Sequence, residues 1–175
     1  IQRIGEQAER AGRVIKSVAD FVRRREHSRE ALAPGDLVEG VAPLIGLQAK
    51  KLGIRVQIEV APGLPQLRCD RTLIEQVLIN LARNGMQAMP EGDPDAASGL
   101  RVLRMAVSPV PASASAPRGG IAFSVTDHGE GLSKAVQARL FTPFFTTKPE
   151  GMGLGLSLCR TVIEQHGASL ALIHI

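Results

Sequence analysis

The chain has 175 residues, enough for one sizeable core or a small domain with an appendage, and its 44% apolar content is ordinary for a globular protein. No apolar run approaches a membrane span, and the opening, with Arg3 and Glu6 close to Ile1, predicts no secretory signal in this stretch. The net charge is a mild +4; with no Trp or Tyr, and no Phe interleaved with basic residues, the composition argues against a nucleic-acid platform.

Cys69 and Cys159 stand alone without metal-ligand spacing, which predicts free thiols in a reduced, cytoplasmic setting. An opening on Ile1 in mid-helix pattern predicts a fragment of a longer protein. From Ile1 to about Glu30, Ile4, Ala8, Ala11, Ile15, Val18 and Val22 alternate at spacings of four and three, with polar or charged residues between them. Such a narrow seam wants a partner helix along its length. The alternative is a terminal helix folded back on its own domain, but the charged flanks, including Arg23, Arg24 and Arg25, favour a bundle and a homodimer through this helix. The arginine run itself reads as a solvated helix face.

Ala33 to Asp36 breaks that helix, which divides the chain at 1–32 and 33–175. The pattern then predicts a helix from Leu37 to about Leu52, a strand over Ile54–Val60, and a turn at Pro62–Pro65. A short segment at Leu67–Cys69 leads to Asp70, which is placed to cap a long helix from Arg71 to about Met89. Pro90–Gly99 reads as a loop. Strands over Leu100–Val107 and Ile121–Val125 are joined by a Pro/Ala/Ser-rich loop from Ser108 to Gly120. A short helix over Ser133–Leu140, a Phe/Thr/Gly-rich loop, a helix from about Leu154 to His166 stopped by Gly167, and a strand over Ser169–Ile173 complete the order.

Three segments carry candidate chemistry, and each has a plainer reading. Asn80 and Asn84 are four apart, so they share one face of the long helix. Two amides on an otherwise apolar helix either hydrogen-bond nearby backbone or serve as hard neutral ligands to Mg²⁺ held jointly with phosphate and water. Asp127-His-Gly129-Glu-Gly131 ends a predicted strand; it is either a simple turn or a carboxylate that accepts from an amine while the backbone passes close to a flat ligand. Thr146 to Ser157 places Gly151, Gly153 and Gly155 directly before a helix, as a hinge or as a phosphate cradle. That spacing fits neither a Walker loop nor a dinucleotide fingerprint.

Taken together and in this order, the segments resemble the histidine-kinase catalytic domains of the GHKL ATP-binding superfamily. Asn80–Met89 is similar to the family's N box, and Asp127, Gly129 and Gly131 to its first glycine box. Phe141–Phe145 matches the F box, and Gly151, Gly153 and Gly155 match the second glycine box. The likeness runs from about Leu37 to the C-terminus, and the wording from Thr146 to Ser157 is most similar to the FixL and NtrB type of sensor kinase. It implies a two-layer α/β sandwich of the Bergerat type, a mixed sheet against about three helices, preceded by one long helix. The resemblance also implies ATP and Mg²⁺ as ligands. Asn84 would hold the metal and Asn80 would assist near the phosphates. Asp127 would bind the adenine amino group, with Gly129 and Gly131 giving the backbone close approach. Phe141–Gly151 would form part of a mobile lid, with Thr147 and Lys148 near the phosphates. Gly153 and Gly155 would hinge the lid, and Leu154 and Leu156 would complete the turn around the nucleotide. Asn80, Asn84 and Lys148 would be the catalytic set.

One position separates branches of this superfamily. Its ATP-hydrolysing members and its serine kinases carry Glu where this chain has Asn80. An amide cannot take a proton at neutral pH, which disfavours hydrolysis and favours transfer to a histidine. The partners implied are a phosphoacceptor-histidine helix of the parent kinase and a response-regulator receiver domain. None of His27, His128, His166 and His174 stands in the family's acceptor pattern, so residues 1–32 are expected to be the second helix of a dimerisation hairpin whose first helix carries the acceptor. Gly85 stands where the family usually has Ala, His128 replaces a smaller residue, and a last family strand would lie beyond Ile175. The competing readings are a nucleotide-binding module without kinase activity and an ATPase of the chaperone or repair type.

Overall fold

Pro34 decides where the first helix starts. Its ring disfavours a helical Ala33, which is extended (φ −70°, ψ 134°), while Pro34 takes a first-turn position where its missing N–H costs nothing. Helix α1 (Pro34–Lys51) buries Leu37, Val38, Val41, Ile45 and Ala49, with Asp36 in the first turn and Lys50 and Lys51 in the last, matching the helix dipole. It stops at Gly53 (φ 65°), where Ile54 N donates to Ala49 O (2.9 Å) and Gly53 N to Lys50 O (3.3 Å). The structure, a computed structural model, describes residues 29–89, 101–112, 119–148 and 151–172. The predicted heptad helix and the 90–99 loop lie outside the described residues, apart from the end of the former.

That end is different from expectation. Strand β1 (Glu30–Leu32) pairs antiparallel with β3 (Leu67–Cys69), and Leu32 joins the core. The extended Ala33 that Pro34 enforces continues back through this ladder, which ties residues 30–32 to β3.

Strand β2 (Arg55–Val60) lies parallel to β4 (Val102–Val110), which pairs antiparallel with β5 (Gly120–Thr126), in the order β2-β4-β5. The β4–β5 hairpin extends to Val110 opposite Gly120, so the connecting loop is shorter than the sequence pattern suggested. On β4, alternate residues Leu103, Met105 and Val107 are buried while Arg104 is exposed. This period of two turns one sheet face to the helices and the other to solvent.

Asp70 caps helix α2 (Arg71–Ala88) as predicted, its Oδ1 accepting from Leu73 N at 3.0 Å. Leu73, Ile74, Val77, Leu78, Ala82, Gly85 and Met86 face the core. Helix α3 (Lys134–Gln137) is capped by Ser133 and is shorter than expected; Arg139 N, Leu140 N and Thr142 N each reach back only three residues, tightening the chain into turns. Helix α4 (Gly155–Gln165) contributes Cys159 and Val162 to the core and ends on Gly167 (φ 72°). Two layers result, a mixed sheet with α1, α2 and α4 against one face, as the sequence implied. The predicted strand from Ser169 makes no ladder over residues 169–172. Leu170 packs on the core, but Leu172 is 46% exposed, and no neighbouring strand among the described residues offers this segment a ladder.

His166 links α4 to α2. Its Nε2 accepts from Asp70 N (3.1 Å) and its Nδ1 lies 2.7 Å from Val162 O. A neutral ring carrying its proton on Nδ1 satisfies both bonds, so this histidine holds the end of α4 to the cap of α2.

Candidate functional site

The site is laid out along one face of α2. Asn80, Arg83, Asn84 and Gln87 recur at helical spacing on the face away from Leu78, Ala82 and Gly85. Asn84 is half-buried and its side chain makes no hydrogen bond among the described residues. Asn80 points to the start of α4: its Nδ2 donates to Cys159 Sγ at 3.0 Å, and a Cβ on Gly155 would lie 2.9 Å from both terminal atoms of its amide. Gly155 therefore lets the Asn80 side chain reach the helix end. Burial pushes the Cys159 thiol up from its ordinary value, and the Asn80 hydrogen bond partly offsets this.

The loop after β5 closes the other end of that face. Asp127 Oδ1 accepts from Gly129 N at 2.9 Å, a local turn that fixes the carboxylate. A Cβ on Gly129 would sit 2.6 Å from Ala88 O, so only a glycine lets this turn rest on the last turn of α2. Gly131 adopts φ 73° and is exposed.

Between these ends lies the 141–153 segment. Lys148 Nζ donates to Gln87 Oε1 at 2.7 Å, so it crosses directly over the α2 face. Burial and then the Arg83 guanidinium push the Lys148 ammonium below its ordinary range, and the Asp127 carboxylate opposes them. Thr146 Oγ1 accepts from Lys148 N (3.1 Å), and Gly151 N donates to Lys148 O (3.1 Å). Gly153 adopts φ 66° beneath the backbone of Phe144 and Phe145, where a Cβ would fall 2.6 Å from Phe145 N. Phe144 itself has φ 64° and is 68% exposed, whereas Arg139 sits 4.4 Å over the Phe145 ring and Arg160 sits 5.3 Å over Phe141. Leu154 is buried at the N-cap of α4, and among the described residues no side chain caps this helix, whose first amides and positive dipole end stand at the site. Leu156 is half-buried in that first turn.

The structure thus brings Asn80, Asn84, Asp127, Gly129, Lys148 and Gly155 around α2. Thr147 is exposed and makes no side-chain hydrogen bond among the described residues. Sequence reasoning missed Arg83 and Gln87, although both were readable as neighbours of the two asparagines on one helix face. It also missed Cys159, for which no local signal existed.

The profile of the histidine kinase-, DNA gyrase B-, and HSP90-like ATPases matches residues 69–174, from the end of β3 through α4 and beyond. The chain belongs to this ATPase family. Its curated relatives include the C4-dicarboxylate transport sensor protein DctS of Rhodobacter capsulatus, 40% identical over 97% of this chain and 24% of that protein. Another is the sensor protein FixL of Bradyrhizobium diazoefficiens, 36% identical over 97% of this chain and 31% of its own length. The chain therefore spans about a quarter to a third of these sensor proteins. Among solved structures, the catalytic domain of the histidine kinase ThkA superposes with a TM-score of 0.60 at 28% identity, covering 79% of this chain and 81% of that one. As a sensor-kinase type of GHKL ATP-binding domain, the chain has the fold that its sequence boxes implied. No helix among the described residues is long and apolar enough to cross a membrane.

The donor set of this ATPase domain can be tested against a bound metal nucleotide. Among the described residues no group of three or more His, Cys, Asp and Glu side chains is placed to hold a metal. An all-protein cage is therefore absent there. Unengaged Asn84, together with the remaining oxygen of Asn80, fits a Mg²⁺ that takes most of its ligands from phosphate and water. The residues present fit Mg·ATP.

Proposed function

We propose that this chain is the ATP-binding, phosphoryl-donating part of a two-component sensor histidine kinase. Bound Mg·ATP supplies an electrophilic γ-phosphoryl group, which passes to an imidazole nitrogen as the bond to the ADP oxygen breaks. Asn84 holds the metal and Asn80 assists beside it. The Asp127 carboxylate accepts from the adenine amino group. Lys148, released from Gln87, turns its ammonium to the phosphates, and the open N-terminus of α4 faces them with Gly151, Gly153, Leu154, Gly155 and Leu156. Gly131 and Thr147 complete the nucleotide contacts.

The observation that carries this reading is the gathering of Asp127, Lys148 and the start of α4 around an α2 face that holds amides and no carboxylate. Asn80 cannot deprotonate water, which disfavours general-base hydrolysis from this position, whereas a neutral imidazole needs no base to attack. Residues 1–29 would be the second helix of a dimerisation hairpin, joining two copies of the chain and presenting an acceptor histidine carried on the first helix. The phosphoryl group would then pass to an aspartate of a response-regulator receiver domain. One of the ThkA structures is a complex with its response regulator TrrA, and at 24% identity that likeness speaks for the fold alone. A site that consumes ATP, with both cysteines free and buried, suits the cytoplasm.

The test mixes the chain with γ-labelled Mg·ATP, with and without a hairpin peptide bearing the acceptor histidine. Label on the peptide is the expected result. Rapid release of free phosphate would point to an ATPase, and nucleotide binding with neither outcome to a binding module.

A further inference from the structure

Helix α2 carries three charged side chains, and two of them answer each other: Arg71 Nη1 donates to Glu75 Oε1 at 3.3 Å. The third, Arg83, is exposed and has no ion pair or hydrogen bond among the described residues. It stands three residues after Asn80 and one before Asn84, on the face that carries the site. The two ends of that face are marked by their neighbours. Gly129 of the Asp127 loop rests on Ala88, whereas Asn80 meets the start of α4. Arg83 therefore lies on the α4 side of Asn84, away from the end assigned to the base. We infer that Arg83 binds the terminal phosphate of ATP, as a second cation beside Lys148.

The plainer reading is a solvated arginine on an exposed helix face, and the surroundings count against it. The Arg83 charge reaches Lys148, whose ammonium is pushed down by burial first and by this guanidinium second. Asp127 opposes that push only in part, and the group that Lys148 Nζ contacts is the neutral amide of Gln87. Two like charges are thus brought near one another with no carboxylate paired to either, an arrangement that costs energy in the empty site. A polyphosphate reverses the sign, since each of its charges attracts both cations and the positive end of α4 adds to them. Asp127 stands at the base end, so the added phosphate of ATP, the one that ADP lacks, falls to Arg83.

The inference rests on the Mg·ATP reading of this site, and calorimetry on the whole chain separates the two. ATP and ADP, each with Mg²⁺, are titrated into wild type, Arg83→Gln, Arg83→Lys and Arg104→Gln. Glutamine is nearly as good a helix former as arginine, so the fold is kept. Arg104→Gln removes the same charge from the solvent side of the sheet. In Arg83→Gln the affinity for ATP should fall about three- to tenfold and that for ADP less than about twofold. Arg83→Lys should recover most of the loss, and Arg104→Gln should show none. A wild type that binds neither nucleotide would overturn the Mg·ATP reading, and the role of Arg83 with it. With wild-type binding intact, equal losses for ATP and ADP in Arg83→Gln, or the same loss in Arg104→Gln, would overturn the terminal-phosphate role alone. So would an Arg83→Lys variant as weak as Arg83→Gln, which would trace the loss to packing and not to charge. An ATP affinity unchanged or raised in Arg83→Gln would show that Arg83 does no more than repel Lys148.

Discussion

The two ends of the α2 face are built differently. At the Asp127 end, the carboxylate is fixed by Gly129 and backed by Gly85 and Leu103, which is fully buried. At the Lys148 end, one hydrogen bond to exposed Gln87 holds the lysine, and Phe144 combines a left-handed backbone with a ring 68% exposed. One end borrows its rigidity from the core, and the other rests on the surface. A site of this kind can recognise a flat base in a preformed slot while leaving the phosphate side free to rearrange, because local opening costs least where few buried contacts are lost.

The strongest way to break this contrast is to remove the support beneath Asp127. Leu103→Ala should cost about 2–5 kcal/mol of stability, measured by urea unfolding, because the site is fully buried and its surroundings cannot collapse well. A loss below about 1 kcal/mol would mean that this end is not tied to the core in the way described.

Phe144→Gly probes the opposite end and should have the opposite sign. A side chain held at φ 64° costs on the order of 1–3 kcal/mol, so glycine there should slow hydrogen exchange over residues 141–148 without lowering the global midpoint. Faster exchange would show that the Phe144 ring, despite its exposure, holds the segment down.

The smallest effect lies between the ends, at Cys159. Burial raises its thiol pKa, so the folded chain keeps that proton more tightly than the unfolded chain. The sign is then fixed: the contribution to stability is full below the ordinary thiol value, about 8.5, and is lost as pH rises above it. Thiol-specific reagents should label Cys159 in native protein more slowly than a free thiol at pH 8, and a Cys159→Ala variant should show a flatter stability profile above that pH. Equal labelling rates would contradict the burial of this thiol behind Asn80.

This contrast also marks what could be read from the sequence. Periodicity located α1, α2 and the β4–β5 hairpin, Asp70 announced its own cap, and the Asn80–Asn84 spacing fixed a shared helix face. These are local properties. The three-residue β1 strand exists only through pairing with β3, and residues 169–172 lack a ladder partner among the described residues, so neither outcome is written in its own segment. The contacts Asn80–Cys159 and Asp70–His166 join residues 79 and 96 positions apart, and only the assembled helices bring them together. Gly85 was legible as a departure from the family's usual Ala, but only the assembled fold sets it beside Leu103 and Asp127.

Binding of ATP with and without Mg²⁺, compared between Asn84→Ala and Asp127→Asn, tests most directly whether the two ends do separate work. Wild type should gain affinity when Mg²⁺ is added. Asn84→Ala should lose most of that gain, while Asp127→Asn should keep it from a base about tenfold or more weaker. A full Mg²⁺ gain in Asn84→Ala, or unchanged ATP affinity in Asp127→Asn, would contradict the assignment of metal to one end of the α2 face and base to the other.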